Sequence, residues 1–275
     1  MTTLISAKLT LAVRLIDTTT GRDITEPNVR FTIDGNDFMP MKKGDGLYAF
    51  VNVGRDDFLM QIDVYGYDTK VIPVIKEELD QKLPMLDVFL MPSEKNRAYG
   101  EVLEVYGTLS DLSYIEAINL NRPIALFHSS QTKKEVHKIS LLSMTPGGGV
   151  SLDSLKYALL SETGSFYDTF KVLEQDSTTT VRISKALRNE HKLNDRIFRI
   201  IYGDVKPEGD FVLKVRDDAS SLPHLLHFVA GEKEYFREID LHLETGEIDL
   251  LEGAVEYKPI EQEEEQDKAE GGTEH

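Results

Sequence analysis

Residues 8–17 read KLTLAVRLID, and large aliphatic side chains stand at every second position: Leu9, Leu11, Val13 and Leu15. An alternation with a period of two is typical of a strand with one buried face. The same alternation recurs in five further segments, residues 29–33, 47–53, 58–64, 70–75 and 86–91. Gly and Asp turns separate these segments, and Asp34-Gly35 is a strong hairpin signal. We therefore predict a seven-strand-type β-sandwich over residues 1–92.

A set of turn and core residues in this region follows a recurrent order: Asp17, Gly21, Val29, Phe31, Gly46, Tyr48, Phe50, Asn52, Val53, Val64, Gly66 and Tyr67. This order resembles the carboxypeptidase regulatory-like, or transthyretin-like, β-sandwich, and the resemblance covers the first third of the chain. The segment 54–58 departs from that family's usual Gly-x-Tyr. In that family the module is a non-catalytic appendage or a repeated structural unit, and the resemblance implies such a role here.

The rest of the chain also reads as mainly strands, which makes the predicted fold class all-β. A polar segment at 93–97 marks a domain boundary, so we expect a second β-rich domain over residues 98–256. One short helix is predicted at 184–193, because its residues are good helix formers. Residues 111–120 could form one or two helical turns, and residues 244–247 predict a hairpin.

The charge balance limits the classes of partner. The chain has 48 acidic and 31 basic residues, a net charge of −17. This disfavours nucleic acid, because phosphate binding needs a basic surface. Residues 257–275 form an acidic tail with little apolar content, which we expect to be disordered. Its acidic residues are Glu261, Glu263, Glu264, Glu265, Asp267, Glu270 and Glu274.

The chain has no Cys, which excludes disulfides, thiolate metal sites and Cys nucleophiles. No apolar run of about 18 residues is present, so no membrane span or membrane partner is predicted. Residues 1–8 lack the pattern of a signal peptide. We therefore expect cytoplasmic synthesis without classical export, which is compatible with incorporation into a particle of bacterial or phage origin.

Candidate catalytic and metal-ligating residues are few. His224 and His227 are spaced as a metal pair would be on a helix, but their apolar neighbours predict a strand, where they point to opposite faces. The Gly-rich segment 146–149 lacks the Lys-Ser or Lys-Thr of a phosphate loop, and we expect an inter-strand loop. No serine-hydrolase or dinucleotide motif is present. The sequence therefore predicts no catalytic residue, no metal and no cofactor.

One local feature is basic in an otherwise acidic chain. The basic residues recur at intervals of three or four: Arg182, Lys185, Arg188, Lys192, Arg196 and Arg199. On a helix, Lys185, Arg188 and Lys192 would form one stripe. The stripe is either a solvated face or a docking surface for an acidic partner, including the tail of another copy.

These observations predict a protein that is not an enzyme. The leading hypothesis is a structural or adaptor protein of a multi-protein assembly that works through protein partners or self-assembly. A phage-tail-like or contractile-injection particle is one setting, by fold-level analogy. Two alternatives stay open. One is a carbohydrate-binding module, against which the absence of Trp counts. The other is a hydrolase with its site in the C-terminal domain.

Overall fold

The computed structural model describes residues 8–44, 46–54, 57–93, 102–128, 137–216, 223–241 and 243–258. Strands dominate these residues, and the helical content described is a single 3₁₀ turn at Lys76–Glu78. The all-β prediction is confirmed. No helix in the described ranges is long and apolar enough to cross a membrane. Most of the predicted linker and the tail from residue 259 lie outside the described residues.

The first region contains nine strands. They are β1 (Leu9–Asp17), β2 (Arg22–Asp23), β3 (Val29–Ile33), β4 (Asn36–Phe38), β5 (Met41–Gly44), β6 (Leu47–Val51), β7 (Phe58–Val64), β8 (Lys70–Val74) and β9 (Met85–Leu90). One sheet has the order β2-β1-β6-β5, and β9 adds to β1 in parallel. The other sheet has the order β4-β3-β7-β8. The two sheets enclose one apolar core.

The residues that alternate in the sequence fill this core. Leu11, Val13 and Leu15 have no exposed surface, while Leu9 is 43% exposed. The predicted hairpin turn at Asp34-Gly35 is confirmed: both residues have positive φ, and Ile33 pairs with Asn36 across them. Gly46 has a φ of +63°, and a Cβ there would lie 2.8 Å from the carbonyl oxygen of Leu15. The turn before β6 therefore requires glycine.

The second region contains the other fifteen strands of the described residues. They are β10 (Val102–Thr108), β11 (Leu112–Asn119), β12 (Ala125–Phe127), β13 (Lys138–Ser143), β14 (Lys156–Leu160), β15 (Tyr167–Ser177), β16 (Thr180–Ile183), β17 (Arg196–Arg199), β18 (Ile201–Tyr202), β19 (Asp204–Val205), β20 (Asp210–Arg216), β21 (His224–Ala230), β22 (Lys233–Ile239), β23 (Gly246–Glu247) and β24 (Val255–Glu256).

Strands β12 to β17 close into an antiparallel barrel with the order β12-β13-β16-β15-β14-β17. The strands on either side of it in the chain form two further sheets, β19-β20-β10-β23 and β18-β11-β21-β22-β24, which share a separate core. The barrel is thus inserted between β11 and β18 of a second sandwich. A smaller apolar cluster joins the two, with Ile118 from β11 and Phe198 from β17. The sequence did not indicate this insertion.

The predicted helix at 184–193 is wrong. These residues form the loop between β16 and β17, which we call the β16–β17 loop (residues 184–195). A helix would use its backbone N–H groups on carbonyls four residues earlier. Here the N–H groups of Arg188 and Asn189 donate instead to the carboxylate of Asp168, at 2.9 and 2.8 Å. A distant side chain therefore outweighs the local helix propensity.

Two other local predictions are wrong because distant strands provide better partners. Residues 111–120 contain β11, which pairs with β21 rather than forming helical turns. Residues 244–247 do not form a hairpin, since Gly246 and Glu247 pair in parallel with β10. The strand that pairs with the free side of β22 is β24. The Gly-rich segment 146–149 lies between β13 and β14, as predicted for an inter-strand loop.

Candidate functional site

The seam between the barrel and the second sandwich contains a series of charged side chains, most of which are buried. It begins at Glu116 on β11, whose neighbours Ile115 and Ala117 fill the sandwich core. Alternation along the strand directs Glu116 the other way, toward the barrel, like Ile118. Glu116 has no exposed surface. A carboxylate is costly to bury without partners, so its contacts define the site.

We call this series the seam network. In order of contact its members are Lys156, Glu116, His227, Glu234, Arg188, Asp168, His191 and Asp195. The barrel contributes Lys156 on β14 and Asp168 on β15, and the second sandwich contributes residues from β11, β21 and β22. The β16–β17 loop contributes the remaining members. Anionic and basic side chains alternate along the whole series.

His227 lies between two carboxylates. Its Nδ1 is 2.8 Å from Oε1 of Glu116, and its Nε2 is 2.8 Å from Oε1 of Glu234. Ionised carboxylates only accept hydrogen bonds, so both ring nitrogens carry a proton and the ring is an imidazolium. Burial alone would lower the pKa of His227, but the two carboxylates outweigh it and raise the pKa. The ring stacks on Phe236 with centroids 4.9 Å apart.

Arg188 connects the histidine end of the network to the barrel. Its guanidinium donates two hydrogen bonds to Glu234, at 2.9 and 3.0 Å. Its Nε lies 3.3 Å from Oδ1 of Asp168. Burial raises the pKa of Glu234, yet the hydrogen bonds from His227 and Arg188 outweigh it and lower the pKa to about 2. The fork geometry suits arginine and could not be reproduced by lysine.

The far end of the network is built around Asp168 and the β16–β17 loop. The Nε2 of His191 lies 3.1 Å from Oδ2 of Asp168, and its Nδ1 lies 2.8 Å from Oδ2 of Asp195. Burial raises the pKa of Asp168, but the bonds from His191 and from the N–H groups of Asn189 and Arg188 lower it overall. Asp168 therefore fixes the loop by accepting hydrogen bonds in its ionised form.

The near end of the network reaches a cleft. Tyr114 donates a hydrogen bond to Glu116, and the Nζ of Lys156 lies 3.0 Å from the Tyr114 hydroxyl. Burial and the Glu116 charge raise the pKa of Tyr114, so its hydroxyl stays protonated. Tyr114 and Lys156 both line the cleft, which has a volume of about 680 Å³. Ligand sites commonly measure about 300–1,000 Å³.

The cleft lies between the first sandwich and the second region. Its walls on the sandwich side come from β8 and β9, with Ile72, Leu86 and Phe89 among them. The opposite wall comes from β14, β15 and the segment at 202–204. Three acidic and three basic residues line the cleft, and of these only Lys156 belongs to the seam network. The six are Asp68, Asp87, Asp204, Lys70, Lys156 and Lys171.

Charged contacts hold the first sandwich against the second region around the cleft. Arg14 on β1 binds Asp87 at 2.9 Å and also donates to the backbone oxygen of Ser154 at 2.8 Å. Aromatic contact adds to this, since the rings of Phe89 and Tyr202 have centroids 4.0 Å apart. Three ion pairs join the first sandwich to the second region: Lys171–Asp87 at 3.2 Å, Lys70–Asp204 at 2.6 Å and Lys214–Asp68 at 2.9 Å.

The six basic residues predicted as a docking surface do not form one helical stripe. Arg188 belongs to the seam network, and Arg182 pairs with Glu174 and Asp176 on the neighbouring strand. Arg199 donates to the backbone oxygen of Gly21 at 3.2 Å, and Arg196 lies over the ring of Phe198. Lys185 and Lys192 are exposed. The partner-binding role of the six residues stays a prediction.

The prediction that His224 and His227 lie in a strand is confirmed, since both belong to β21 and are buried. Within the described ranges, no group of three or more His, Asp and Glu is placed to hold a metal ion. Sequence reasoning missed the seam network. The available signal was Glu116, a charged residue between the apolar or aromatic residues at 114–115 and 117–118.

Comparison with known proteins adds little. No family model matches the chain, and no curated protein matches it significantly. Among solved structures, the TIE protein of Bacillus anthracis is similar to it at 12% sequence identity with a TM-score of 0.22. The match covers 86% of this chain and 49% of that one, so the chain spans about half the length of its structural neighbour. A TM-score this low supports no inference about fold or function.

Proposed function

We propose that this protein is a non-catalytic structural or adaptor component of a multi-protein assembly. The observation that carries the proposal is the seam network, in which Arg188 and Lys156 from the barrel side pair with Glu234 and Glu116 of the second sandwich. Such a network fixes the relative positions of the barrel and the second sandwich. A scaffold that spaces or joins partners needs this kind of fixed geometry.

The electrostatics of the network favour a structural role over catalysis. A carboxyl group that acts as a general acid near neutral pH needs a raised pKa. The pKa values of Glu116, Asp168 and Glu234 are all lowered instead, because partners stabilise their ionised forms against the effect of burial. Each of these groups is therefore suited to holding a charge pair and poorly suited to moving a proton.

In this proposal the first sandwich has the appendage role that its resemblance to carboxypeptidase regulatory-like domains implies. The contacts between the first sandwich and the second region support such a role. Arg14 donates to the backbone oxygen of Ser154, Lys214 donates to that of Pro92, and both side chains are largely buried. A phage-tail-like or contractile-injection particle is the setting we propose for the assembly.

Two measurements test the proposed function. The first screens the full chain for turnover of chromogenic esters, peptides and glycosides, beside Glu116→Gln and the exposed control Glu252→Gln. We expect no turnover in any of the three proteins. Turnover that is lost only in Glu116→Gln would overturn the non-catalytic assignment and promote the hydrolase alternative.

The second measurement is chemical cross-linking of the tagged chain in its source cells. We expect cross-linked complexes heavier than the 31.1 kDa chain. Recovery of the monomer alone would contradict an adaptor.

A further inference from the structure

Strand β9 has one edge without a described partner strand. On its other side it pairs in parallel with β1. At the two ends of this ladder, the N–H of Ala12 donates to the carbonyl oxygen of Pro84 and the N–H of Thr18 donates to that of Leu90. Even-numbered residues of β9 thus direct their backbone groups toward β1. The N–H and C=O groups of Asp87 and Phe89 therefore point the opposite way, where no described strand pairs with them.

The open edge is short because both of its ends are closed. Before it, the N–H of Met85 donates to the carbonyl of Leu83 at 2.7 Å. After it, the carbonyl of Met91 accepts from the N–H of Asp68 at 2.9 Å. Residues 86–89 between these closures line the cleft. The cleft thus runs along backbone groups that have no strand partner among the described residues, and the matching occupant is an extended polypeptide backbone.

The neighbouring edge strand, β8, is less receptive. It carries Pro73, which has no N–H to donate, and Lys70, which pairs with Asp204. Proline and lysine are the residues that proteins use to block pairing at sheet edges. Strand β9 has neither residue between Met85 and Leu90. The two sides of the cleft beside β9 differ in chemistry. Ile72 and Leu86 are apolar, while Lys156 and Lys171 on the other side are cationic and already pair with Glu116 and Asp87.

We propose that the cleft binds an extended segment of a partner protein as an added strand on β9. The segment hydrogen-bonds to the backbone of Asp87 and Phe89. Its alternate side chains point to opposite walls, so an apolar residue faces Ile72 and Leu86 while an acidic residue faces Lys156 and Lys171. This inference rests on the proposed adaptor role and names the kind of partner segment that the adaptor would hold.

The test selects a random seven-residue peptide library, displayed on phage, against the immobilised full chain. Enriched peptides are synthesised, and their affinity is measured by fluorescence anisotropy. We expect alternating apolar and acidic residues. N-methylation at one set of alternate positions should weaken binding about tenfold or more, while methylation at the other set changes it little, since a strand presents only every second N–H to its neighbour. Equal effects of the two methylation patterns, or no enrichment, would overturn the proposal.

A pair of variants places the peptide on β9. Asp87→Asn removes the charge and keeps the N–H, while Asp87→Pro also removes the N–H that faces the cleft. Both variants lose the carboxylate that pairs with Arg14 and Lys171, so the comparison between them isolates the N–H. We expect Asp87→Pro to bind the peptide at least about tenfold more weakly than Asp87→Asn, and equal affinities would contradict the site. Hydrogen exchange of the native chain is the second measurement, in which the peptide should protect the amides of Asp87 and Phe89. Unchanged exchange at both amides would exclude this edge.

These results separate the two proposals. Failure of the peptide selection would remove the β9 site and leave the adaptor role to other surfaces. Turnover that depends on Glu116 would remove the adaptor role whatever the peptide measurements show.

Discussion

His227 on β21 and Glu116 on β11 share a hydrogen bond of 2.8 Å at a site where Glu116 has no exposed surface. The two residues are 111 positions apart in the sequence. Their pairing connects two strands of the second sandwich. The barrel contacts the same carboxylate oxygen, because the hydroxyl of Tyr167 on β15 donates to it at 2.7 Å.

Replacing His227 with Gln should destabilise the protein strongly. The variant removes the cation closest to buried Glu116 and leaves Lys156, 3.5 Å away, as its remaining cationic partner. Removing one partner of a buried ion pair costs about 3–5 kcal/mol. Chemical denaturation gives the free energy of unfolding. His128→Gln, an exposed position outside the network, is the matched control and should change it by about 0.5 kcal/mol or less. A His227→Gln variant as stable as the control would show that the network contributes no cohesion.

Stability should depend on pH on both sides of a maximum. The pKa of Glu234 is about 2 in the folded chain against 4.5 for a free glutamate, so its contribution is complete above about pH 4.5 and is lost as the pH falls toward 2. The pKa of His227 is raised above 6.5, so its contribution is complete below pH 6.5 and is lost as the pH rises through the raised value.

Melting temperatures measured across this range should therefore be highest between about pH 4.5 and pH 6.5. The variant Glu234→Gln should flatten the acidic side of the profile, and His227→Gln should flatten the alkaline side. A profile that is the same in the native chain and in both variants would contradict the assigned charge states.

Arg188 and Lys185 should behave differently although both were predicted as docking residues. Arg188→Lys loses the fork that binds Glu234 and Asp168 together, and we expect a loss of about 2 kcal/mol in the free energy of unfolding. Lys185→Glu and Lys192→Glu change exposed side chains and should cost about 0.5 kcal/mol or less. Equal stability of Arg188→Lys and Lys185→Glu would contradict the structural role of Arg188.

If the exposed lysines dock an acidic partner, the double variant Lys185→Glu, Lys192→Glu should slow association and weaken its salt dependence. Surface plasmon resonance with a synthetic peptide of residues 259–275 measures this directly. An unchanged on-rate would leave these lysines as part of a solvated surface.

The fragment 1–92 should fold alone. Its fourteen buried core residues all come from positions 11–90, so the core is complete without the second region. Ile16 packs in the barrel core and Phe89 contacts Tyr202, so the fragment exposes these two residues and should melt at a lower temperature than the full chain. Far-UV circular dichroism during heating is the measurement. A helical spectrum, or the lack of a cooperative transition, would refute the predicted domain boundary.

Local patterns were enough to predict several features correctly. The alternation of residues 9–17 places Leu11, Val13 and Leu15 in the core, and the turn at Asp34-Gly35 follows from the freedom of those residues to adopt positive φ. The strand at His224 follows from its apolar neighbours. Each of these features depends on residues close together in the chain, which is why a sequence pattern can carry it.

Wrong predictions arose where a distant group replaced a local partner. The β16–β17 loop contains good helix formers, but the N–H of Arg188 donates to the carboxylate of Asp168, twenty positions earlier, instead of to a helix carbonyl. The same reason hides the seam network, because Glu116 meets His227 only after β11 and β21 have paired.

The sequence by itself determined the all-β class, the core strands of the first sandwich and its tight turns, because side-chain alternation and backbone freedom act within a few residues. Only the tertiary structure decided that the barrel closes between β11 and β18, that Glu116, His227, Glu234 and Arg188 meet at its seam, and that the edge of β9 faces a cleft. Those arrangements depend on strand pairing over long separations. The free energy of such pairing comes from burial and charge contacts that no short stretch of sequence contains.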